Sequence, residues 1–353
     1  SELMNWTSLG ISRSLEQLPG NFSIGVAPAV SDIPTLLESV RANQQITFYV
    51  KKKLFFTGII EQVHIENGQD HTLALQGRSV LRDLFDCSSQ LPGYVSKYGD
   101  IDGLAKALCS PFGIKSYVKT GSTEATPYQQ TQLQTMNMNA GETPFAILQR
   151  AARVYGKILM ESTTGSLVIC DVTGGKPTTD FDTTTSPVLS QSFDLDISGR
   201  FGAYEVMTQP NAPYASTATV NAPTGLAYDP QQDLVGSERV QILINSMDSP
   251  DHTFAQTLAQ WQANRNYGRS MVYRANVTGF TDASDNLWDL NTLVRVTDPY
   301  CGLDNATMLV VGLSISRSNE QGSVTSLTMM PREAMSVEPN VINPSADYHG
   351  KQS

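Results

Sequence analysis

The side chains that most often perform chemistry are sparse and scattered in this sequence of 353 residues. Its histidines stand at His64, His71, His252 and His349. Its cysteines stand at Cys87, Cys109, Cys170 and Cys301. No two histidines have the spacing of a His-x-x-x-His pair, and the cysteines form no paired metal motif. The sequence therefore predicts no metal site, and it predicts free, mostly buried thiols in a reducing compartment.

Carboxylates are abundant enough to supply a pair for the cleavage of a glycosidic bond. The candidates on predicted strands are Glu61, Asp194, Asp196 and Glu205. Asp194 and Asp196 share one face because strand side chains alternate with a period of two. A solvated sheet face explains this pattern more simply than a catalytic pair does.

A glycine-rich stretch, Gly174-Gly175-Lys176, resembles a phosphate-binding loop only in part. The upstream glycine that the motif requires is absent, and Pro177 stands where the motif has serine or threonine. We therefore predict no nucleotide site. With no catalytic, cofactor or metal residues identified, the sequence favours a protein that is not an enzyme.

The charge balance excludes further classes of function. The formal net charge is −10, which argues against a protein that binds nucleic-acid phosphates through lysine and arginine. Charged residues make up 16% of the chain, below the roughly 25% of an ordinary soluble domain, which is typical of a surface covered by other subunits. No apolar run approaches the ~20 residues of a membrane span, and no signal peptide is visible.

A seven-residue stretch occurs twice with one difference. Ile11-Ser12-Arg13-Ser14-Leu15-Glu16-Gln17 matches Ile315-Ser316-Arg317-Ser318-Asn319-Glu320-Gln321 at six positions. In each copy an alternating run precedes a glycine-containing turn and an apolar run follows it, which predicts a β-hairpin. We interpret the copies as marks of two related β-domains, and the alternative is two unrelated hairpins that converged by chance. Arg13 and Arg317 are expected to pair with carboxylates at a barrel end or a subunit junction.

Further elements follow from local patterns. Short helices are predicted over 31–42 and 101–109, and a helix capped by Thr143, with Pro144 in its first turn, is predicted to end at Gly156. Hairpins are predicted over 46–60, with Lys51-Lys52-Lys53 as a solvated turn, and over 157–172. Residues 176–190 are predicted to be a linker and 209–235 an extended arm, before a helix over 252–267.

The predicted fold class is β-rich α+β, with two similar small β-barrel domains, an α/β segment between them and a further insertion. The predicted domains, in chain order, are 1–86 as the first barrel, 87–188 as a mixed α/β domain, 189–212 with 268–335 as the second barrel, 213–267 as an insertion with one helix, and 336–353 as a mobile tail.

Several motifs, taken in order, resemble the baseplate hub proteins of contractile-tailed phages, of the kind found in Mu-like phages and related to the larger hubs of T4-like phages and secretion-system spikes. They are Trp6 to Ser14 with Phe22-Ser23-Ile24, Phe56 to Ile60, Gly77-Arg78-Ser79 with Asp83-Leu84 and Asp86-Cys87-Ser88, Gly141 to Pro144, Trp288 to Asp298, and Met308 to Val311. The resemblance spans nearly the whole chain.

The resemblance implies a homotrimer in which two barrels per chain form a pseudo-sixfold ring. Such a ring joins a hexameric tail tube to a trimeric central spike, contacts other baseplate proteins and lines the channel that DNA traverses without specific binding. The implied location is the virion tail baseplate, assembled in the host cytoplasm, with no membrane partner and no cofactor. The alternative is a carbohydrate-binding or carbohydrate-cleaving β-protein, although Trp6, Trp261 and Trp288 each have a plausible core position.

Overall fold

The computed structural model describes residues 6–27, 40–67, 71–91, 98–119, 138–210, 224–247 and 252–339. Of the helix predicted over 31–42, residues 31–39 lie outside these ranges and residues 40–42 are not helical. The tail beyond residue 339 also lies outside them. Within them the chain is rich in strands, and the predicted β-rich α+β class is confirmed.

The N-terminal part of the chain forms five antiparallel strands. They are β1 (Trp6–Ser14), β2 (Asn21–Val26), β3 (Gln45–Val50), β4 (Lys53–Asn67) and β5 (His71–Ser79). Strand β2 alternates buried Phe22, Ile24 and Val26 with more exposed residues, so one face packs on the core. The predicted hairpins formed by β1 with β2 and by β3 with β4 are confirmed. Lys51 and Lys52 adopt positive φ in the turn between β3 and β4.

A mixed α/β domain with its own apolar core follows. Its elements are α1 (Arg82–Asp86), α2 (Ile101–Cys109), a 3₁₀ turn (Ser110–Phe112), β6 (Ser116–Lys119), α3 (Pro144–Val154), β7 (Ile158–Glu161) and β8 (Leu167–Cys170). The predicted start of α3 is confirmed, because the Thr143 side chain accepts a hydrogen bond from the backbone N–H of Ala146 at 3.3 Å. Helices α2 and α3 bury Leu104 and Leu148 in one cluster.

The rest of the chain holds the remaining strands and one long helix. Its elements are β9 (Thr179–Asp182), β10 (Val188–Leu195), β11 (Ala203–Pro210), β12 (Thr224–Tyr228), α4 (Gln232–Val235), β13 (Val240–Met247), α5 (His252–Arg269), β14 (Met271–Thr278), β15 (Leu293–Asp298), β16 (Leu303–Ser318), β17 (Gly322–Met330) and a 3₁₀ turn (Arg332–Met335).

Two predictions about irregular segments were wrong in part. The predicted linker over 176–190 contains β9, which pairs in parallel with β15. The predicted arm over 209–235 contains β12, where a Cβ on Gly225 would lie 2.2 Å from the Ala255 carbonyl carbon of α5. Such close packing of strand on helix needs glycine at this position, which weakens the sequence signal of β12. Strand β9 has only four residues, of which only Phe181 is buried.

An 11-stranded sheet dominates the molecule, and its main path runs β10-β14-β17-β16-β1-β2-β5-β4-β3. In addition, β15 pairs with β16 and β9 pairs with β15. Within the described residues this path does not close into a barrel. One core underlies both ends of the chain, because Phe22 and Leu75 share a buried cluster with Tyr273 and Leu309.

Candidate functional site

The large sheet contains two five-stranded halves with the same connectivity, and β9 is its eleventh strand. The N-half is β1 to β5, paired in the order β1-β2-β5-β4-β3. The C-half is β10 with β14 to β17, paired in the order β10-β14-β17-β16-β15. Chain order and sheet order give the same correspondence: β10 matches β1, β14 matches β2, β15 matches β3, β16 matches β4 and β17 matches β5. Residues 196–270, between β10 and β14, occupy the place of the short β1–β2 connection.

Irregularities in the strand pairing coincide in the two halves. The β1–β2 ladder shifts register between Trp6 and Ser8, and β10–β14 shifts between Val188 and Ser190. The β4–β5 ladder shifts between Ile60 and Gln62, and the matching β16–β17 ladder shifts between Val310 and Gly312. Ladders β3–β4 and β15–β16 also share an irregularity, after Phe48 and after Val296. Because a bulge changes strand direction at a defined residue, these coincidences indicate that the halves are structurally equivalent.

The two halves are joined through β1 and β16, which we call the joint. These strands pair antiparallel, with Ile11 opposite Ile315 and Arg13 opposite Leu313. The repeated heptapeptide therefore lies on two strands that are not counterparts, since β1 matches β10 and β16 matches β4. The interpretation of the heptapeptide as a mark of duplication was wrong, although the chain does contain two equivalent halves.

Arg13 connects the joint to the middle domain. Its side chain is 2% exposed and donates to the Asp289 carboxylate at 2.8 Å and to the Glu161 backbone carbonyl at 2.9 Å. Its Nε lies 3.5 Å from Oε1 of Glu161, which is also buried. The expectation that Arg13 pairs with a carboxylate is confirmed, and the pair links β1 to β7 and to the loop before β15.

Glu161 is held from several sides. Its Oε2 accepts a hydrogen bond from the backbone N–H of Gly20 at 3.1 Å. Burial raises the pKa of Glu161, while the charge of Arg13 and the hydrogen bonds from Ser79 and Gly20 oppose that rise. A Cβ on Gly20 would lie 2.2 Å from Glu161 Oε1, so the β1–β2 turn needs glycine at this contact.

Arg78, in the Gly77-Arg78-Ser79 motif, connects the N-half to α1. Its guanidinium donates to Glu61 at 2.7 Å and to Asp86 at 2.5 Å. Its hydrogen bonds lower the pKa of both carboxyl groups, against the opposing effect of burial. Arg82 donates to the same Glu61 at 3.2 Å. The motif thus fixes the middle domain on the sheet.

A second buried ion pair anchors the insertion. Arg200 donates to both oxygens of Asp229, at 2.5 and 2.9 Å, and to Ser270 Oγ at 3.2 Å. Its guanidinium also lies over the Tyr267 ring, 5.1 Å from the centroid. Sequence reasoning missed this pair, because the two residues are separated by 29 positions and neither belongs to a recognisable motif.

The carboxylates considered for glycoside cleavage do not assemble into a site. Glu61 is bound by Arg78, and the exposed Asp194 pairs with Arg274. Asp196 accepts from the Ser198 backbone, and Glu205 lies on a separate three-stranded sheet. No cluster of three or more potential metal ligands occurs in the described part of the chain.

The tryptophans form no exposed binding platform. Trp288 is buried in the large core. Trp6 packs under the exposed Arg317, and Trp261 packs against Arg265 and donates to the Ser336 carbonyl. Of the helices that the structure describes, none has both the length and the apolar character needed to span a membrane.

Three family models match the chain in succession. "Mu phage baseplate assembly protein GpP-like, N-terminal" matches residues 1–79, which contain the N-half. "Baseplate hub protein gp44-like, second domain" matches residues 82–171, the middle domain. "Mu phage baseplate assembly protein GpP, fourth domain" matches residues 251–338, which contain β14 to β17.

Whole-chain comparisons point the same way. The chain is 24% identical to the baseplate hub protein gp44 of Escherichia phage Mu over 339 residues, covering 94% of this chain and 86% of that one. It matches the crystal structure of the 43 kDa tail protein of prophage MuSo2 from Shewanella oneidensis with a TM-score of 0.76 and 27% identity, covering 94% and 95% of the two chains. A tail protein from Neisseria meningitidis MC58 has the same fold, with a TM-score of 0.72, 18% identity and coverages of 94% and 93%.

Proposed function

We propose that this chain, a relative of the Mu-type baseplate hub proteins, is a homotrimeric hub that joins a sixfold tail tube to a threefold central spike. Homology supports a structural role in the baseplate. The observation that carries the finer proposal is the duplicated half-sheet. Three copies of a chain with two equivalent halves offer six similar units around a threefold axis.

The direction of the joint is compatible with such a ring. Strand β1 runs antiparallel to β16, and β16 is the counterpart of β4, which also runs antiparallel to β1 within the N-half order. Corresponding strands of the two halves therefore run in the same direction. Rotation about a ring axis roughly parallel to the strands preserves this direction, whereas a twofold axis perpendicular to the strands would reverse it.

The proposed role is structural and not enzymatic. The charged groups described above hold segments of the chain together: Arg13 with Glu161, Arg78 with Glu61, and Arg200 with Asp229. We propose further that the ring lines a channel for DNA, since a net charge of −10 disfavours adhesion of phosphates. The partners would be the tube protein, the spike and other baseplate proteins, in a virion tail assembled in the host cytoplasm.

The proposed domain division differs from the predicted bounds of 87–188 and 213–267. The middle domain begins at α1, whose Leu84 lies in its core, and the insertion covers 196–270, because β11 pairs with β12 and β13 and not with the large sheet. In the ring, the two halves would form its six units, while the middle domain and the insertion would contact other baseplate proteins.

Sedimentation equilibrium of the purified chain tests the oligomeric state. The proposal expects a mass of three 38.4 kDa chains across a range of protein concentrations. A single species of 38.4 kDa at the highest concentration would contradict it.

A further inference from the structure

We infer that neighbouring copies of this chain join through the same strand pairing that joins the two halves within one copy. Strand β10 of one copy would pair antiparallel with the last residues of β4, Gln62 to Asn67, in the next. The inference rests on the proposed trimer. It adds the surface and the residue register through which the copies meet.

Both strands have a free edge where this pairing needs one. Strand β10 pairs with β14 on one side and with no strand on the other among the described residues. Among the same described residues, β4 pairs with β3 only through residues 53–59, and its segment after Gln62 pairs only with β5. Strand β16 divides in the same way, because residues 303–309 pair with β15 and residues 312–318 pair with β1. The free segment of β4 is therefore the counterpart of the segment that forms the joint.

Side-chain exposure indicates that this counterpart lacks its partner. Ile315 in the joint is 1% exposed, whereas Ile65, at the same place in β4, is 43% exposed. Leu195, at the end of β10, is 48% exposed. Neither edge segment contains a lysine or proline, residues that commonly protect a free strand edge. Exposed apolar residues on edges that lack lysine and proline are typical of strands that pair with another chain.

The register follows from the joint. Each residue of the joint is replaced by its counterpart in the other half. The pair Ile11 and Ile315 then corresponds to Phe193 and Ile65, and the pair Arg13 and Leu313 corresponds to Leu195 and Val63. Two apolar pairs then share one face of the extended sheet. A shift by one residue would set Ile65 against Asp194 instead, so the side-chain pattern supports the carried-over register.

A second copy of this chain is the occupant that the equivalence selects. Strand β16 pairs with β1, so its counterpart β4 should pair with the counterpart of β1, which is β10. In the inferred ring this β10 belongs to the neighbouring copy. Three such contacts between copies, alternating with three joints within copies, would leave neither edge free. This contact is heterologous, as a cyclic trimer requires.

Cysteine cross-linking tests the register. Opposed residues in antiparallel strands have Cα atoms about 4.5–5.5 Å apart, within disulfide range. The variant Ile65→Cys/Phe193→Cys, with Cys87→Ser and Cys301→Ser to remove the partly exposed native thiols, should form covalent dimers and trimers on mild oxidation. The control Ile65→Cys/Leu189→Cys, in the same background, displaces one thiol by four residues, roughly 13 Å along the strand, and should remain largely uncross-linked.

The outcomes separate this inference from the proposed function. A trimeric mass without cross-links in Ile65→Cys/Phe193→Cys, and without cross-links in the independent pair Val63→Cys/Leu195→Cys, would overturn the inferred contact and leave the trimer standing. A monomeric mass for the unaltered chain would overturn both. Circular dichroism matching the unaltered chain confirms that each variant is folded.

Discussion

Ile11 and Ile315 lie directly opposite each other in β1 and β16, and each is 1% exposed. They are the central pair of the joint between two equivalent half-sheets. Both strands alternate apolar with polar residues along this ladder, but of the repeated residues only the two isoleucines face each other, since Arg13 lies opposite Leu313 and Arg317 opposite Leu9. A repeated motif in this chain thus marks a contact between its halves and not their equivalence.

Arg13 and Arg317 occupy the same position of the repeated motif but have different surroundings, which gives a matched pair of substitutions. Arg13→Met leaves the buried Glu161 without its counter-charge and should lower the free energy of unfolding by about 3–5 kcal/mol. Arg317→Met removes an exposed cation above Trp6 and should cost less than about 1 kcal/mol. Urea unfolding followed by tryptophan fluorescence measures both. Equal effects would show that Arg13 does not hold the joint to the middle domain.

The Arg78 cluster predicts a stability that depends on pH. Hydrogen bonds from Arg78 lower the pKa of Glu61 and of Asp86, so these groups stabilise the folded state above their ordinary pKa values. That stabilisation is lost as the pH falls below about 4.5 and through the lowered pKa values. Arg78→Met should make the free energy of unfolding less sensitive to pH in this window.

The control for this measurement is Arg295→Met. Arg295 lies 3.5 Å from Asp180, and both side chains are largely solvated, so the pair contributes little. The free energy of unfolding of Arg295→Met should therefore depend on pH in the same way as that of the unaltered chain. If Arg78→Met also follows it, the cluster does not link the sheet to α1 in the way described.

Gly77 is predicted to be intolerant of any side chain. A Cβ at this position of β5 would lie 1.9 Å from the Ile59 carbonyl oxygen and 2.8 Å from the Phe22 ring. Gly77→Ala should therefore destabilise the protein by about 1–3 kcal/mol or more through forced backbone movement. Gly199→Ala meets no atom within 4 Å and should change stability by less than about 0.5 kcal/mol. Thermal unfolding of the two variants side by side checks the difference.

Thiol reactivity should separate the cysteines. Burial raises the pKa of Cys109 to about 12 and that of Cys170 to about 11, so neither forms thiolate readily at neutral pH. Cys87 is half-buried at the surface. Brief alkylation of the native protein with iodoacetamide, followed by peptide mass spectrometry, should modify Cys87 well before Cys109. Equal rates would contradict the described burial.

Local patterns in the sequence predicted much of the secondary structure. Thr143 and Pro144 mark the start of α3 because capping and a fixed φ act within a few residues. The alternation in β2 and in β3–β4 is likewise local. The free thiols at Cys109 and Cys170 also agree with the expectation of buried, unpaired cysteines.

Properties that depend on distant residues were harder to predict. The equivalence of β1 with β10 is hidden because 75 residues with their own core separate β10 from β14, and because matched positions such as Leu9 and Gln191 differ in polarity. Arg200 and Asp229 meet only after β11 and β12 have folded together. The two halves correspond through the positions of their bulges, which are features of the backbone. The sequence of side chains predicts bulge positions poorly.

The central claim is that three copies, each with two equivalent half-sheets, build one ring of six similar units. Negative-stain electron microscopy of the purified chain, with class averages of end-on particles, tests this claim most directly. The account predicts threefold rings whose rim shows six lobes of similar size around a central opening. Particles with a single compact lobe, or rings whose rim shows only three lobes, would contradict it.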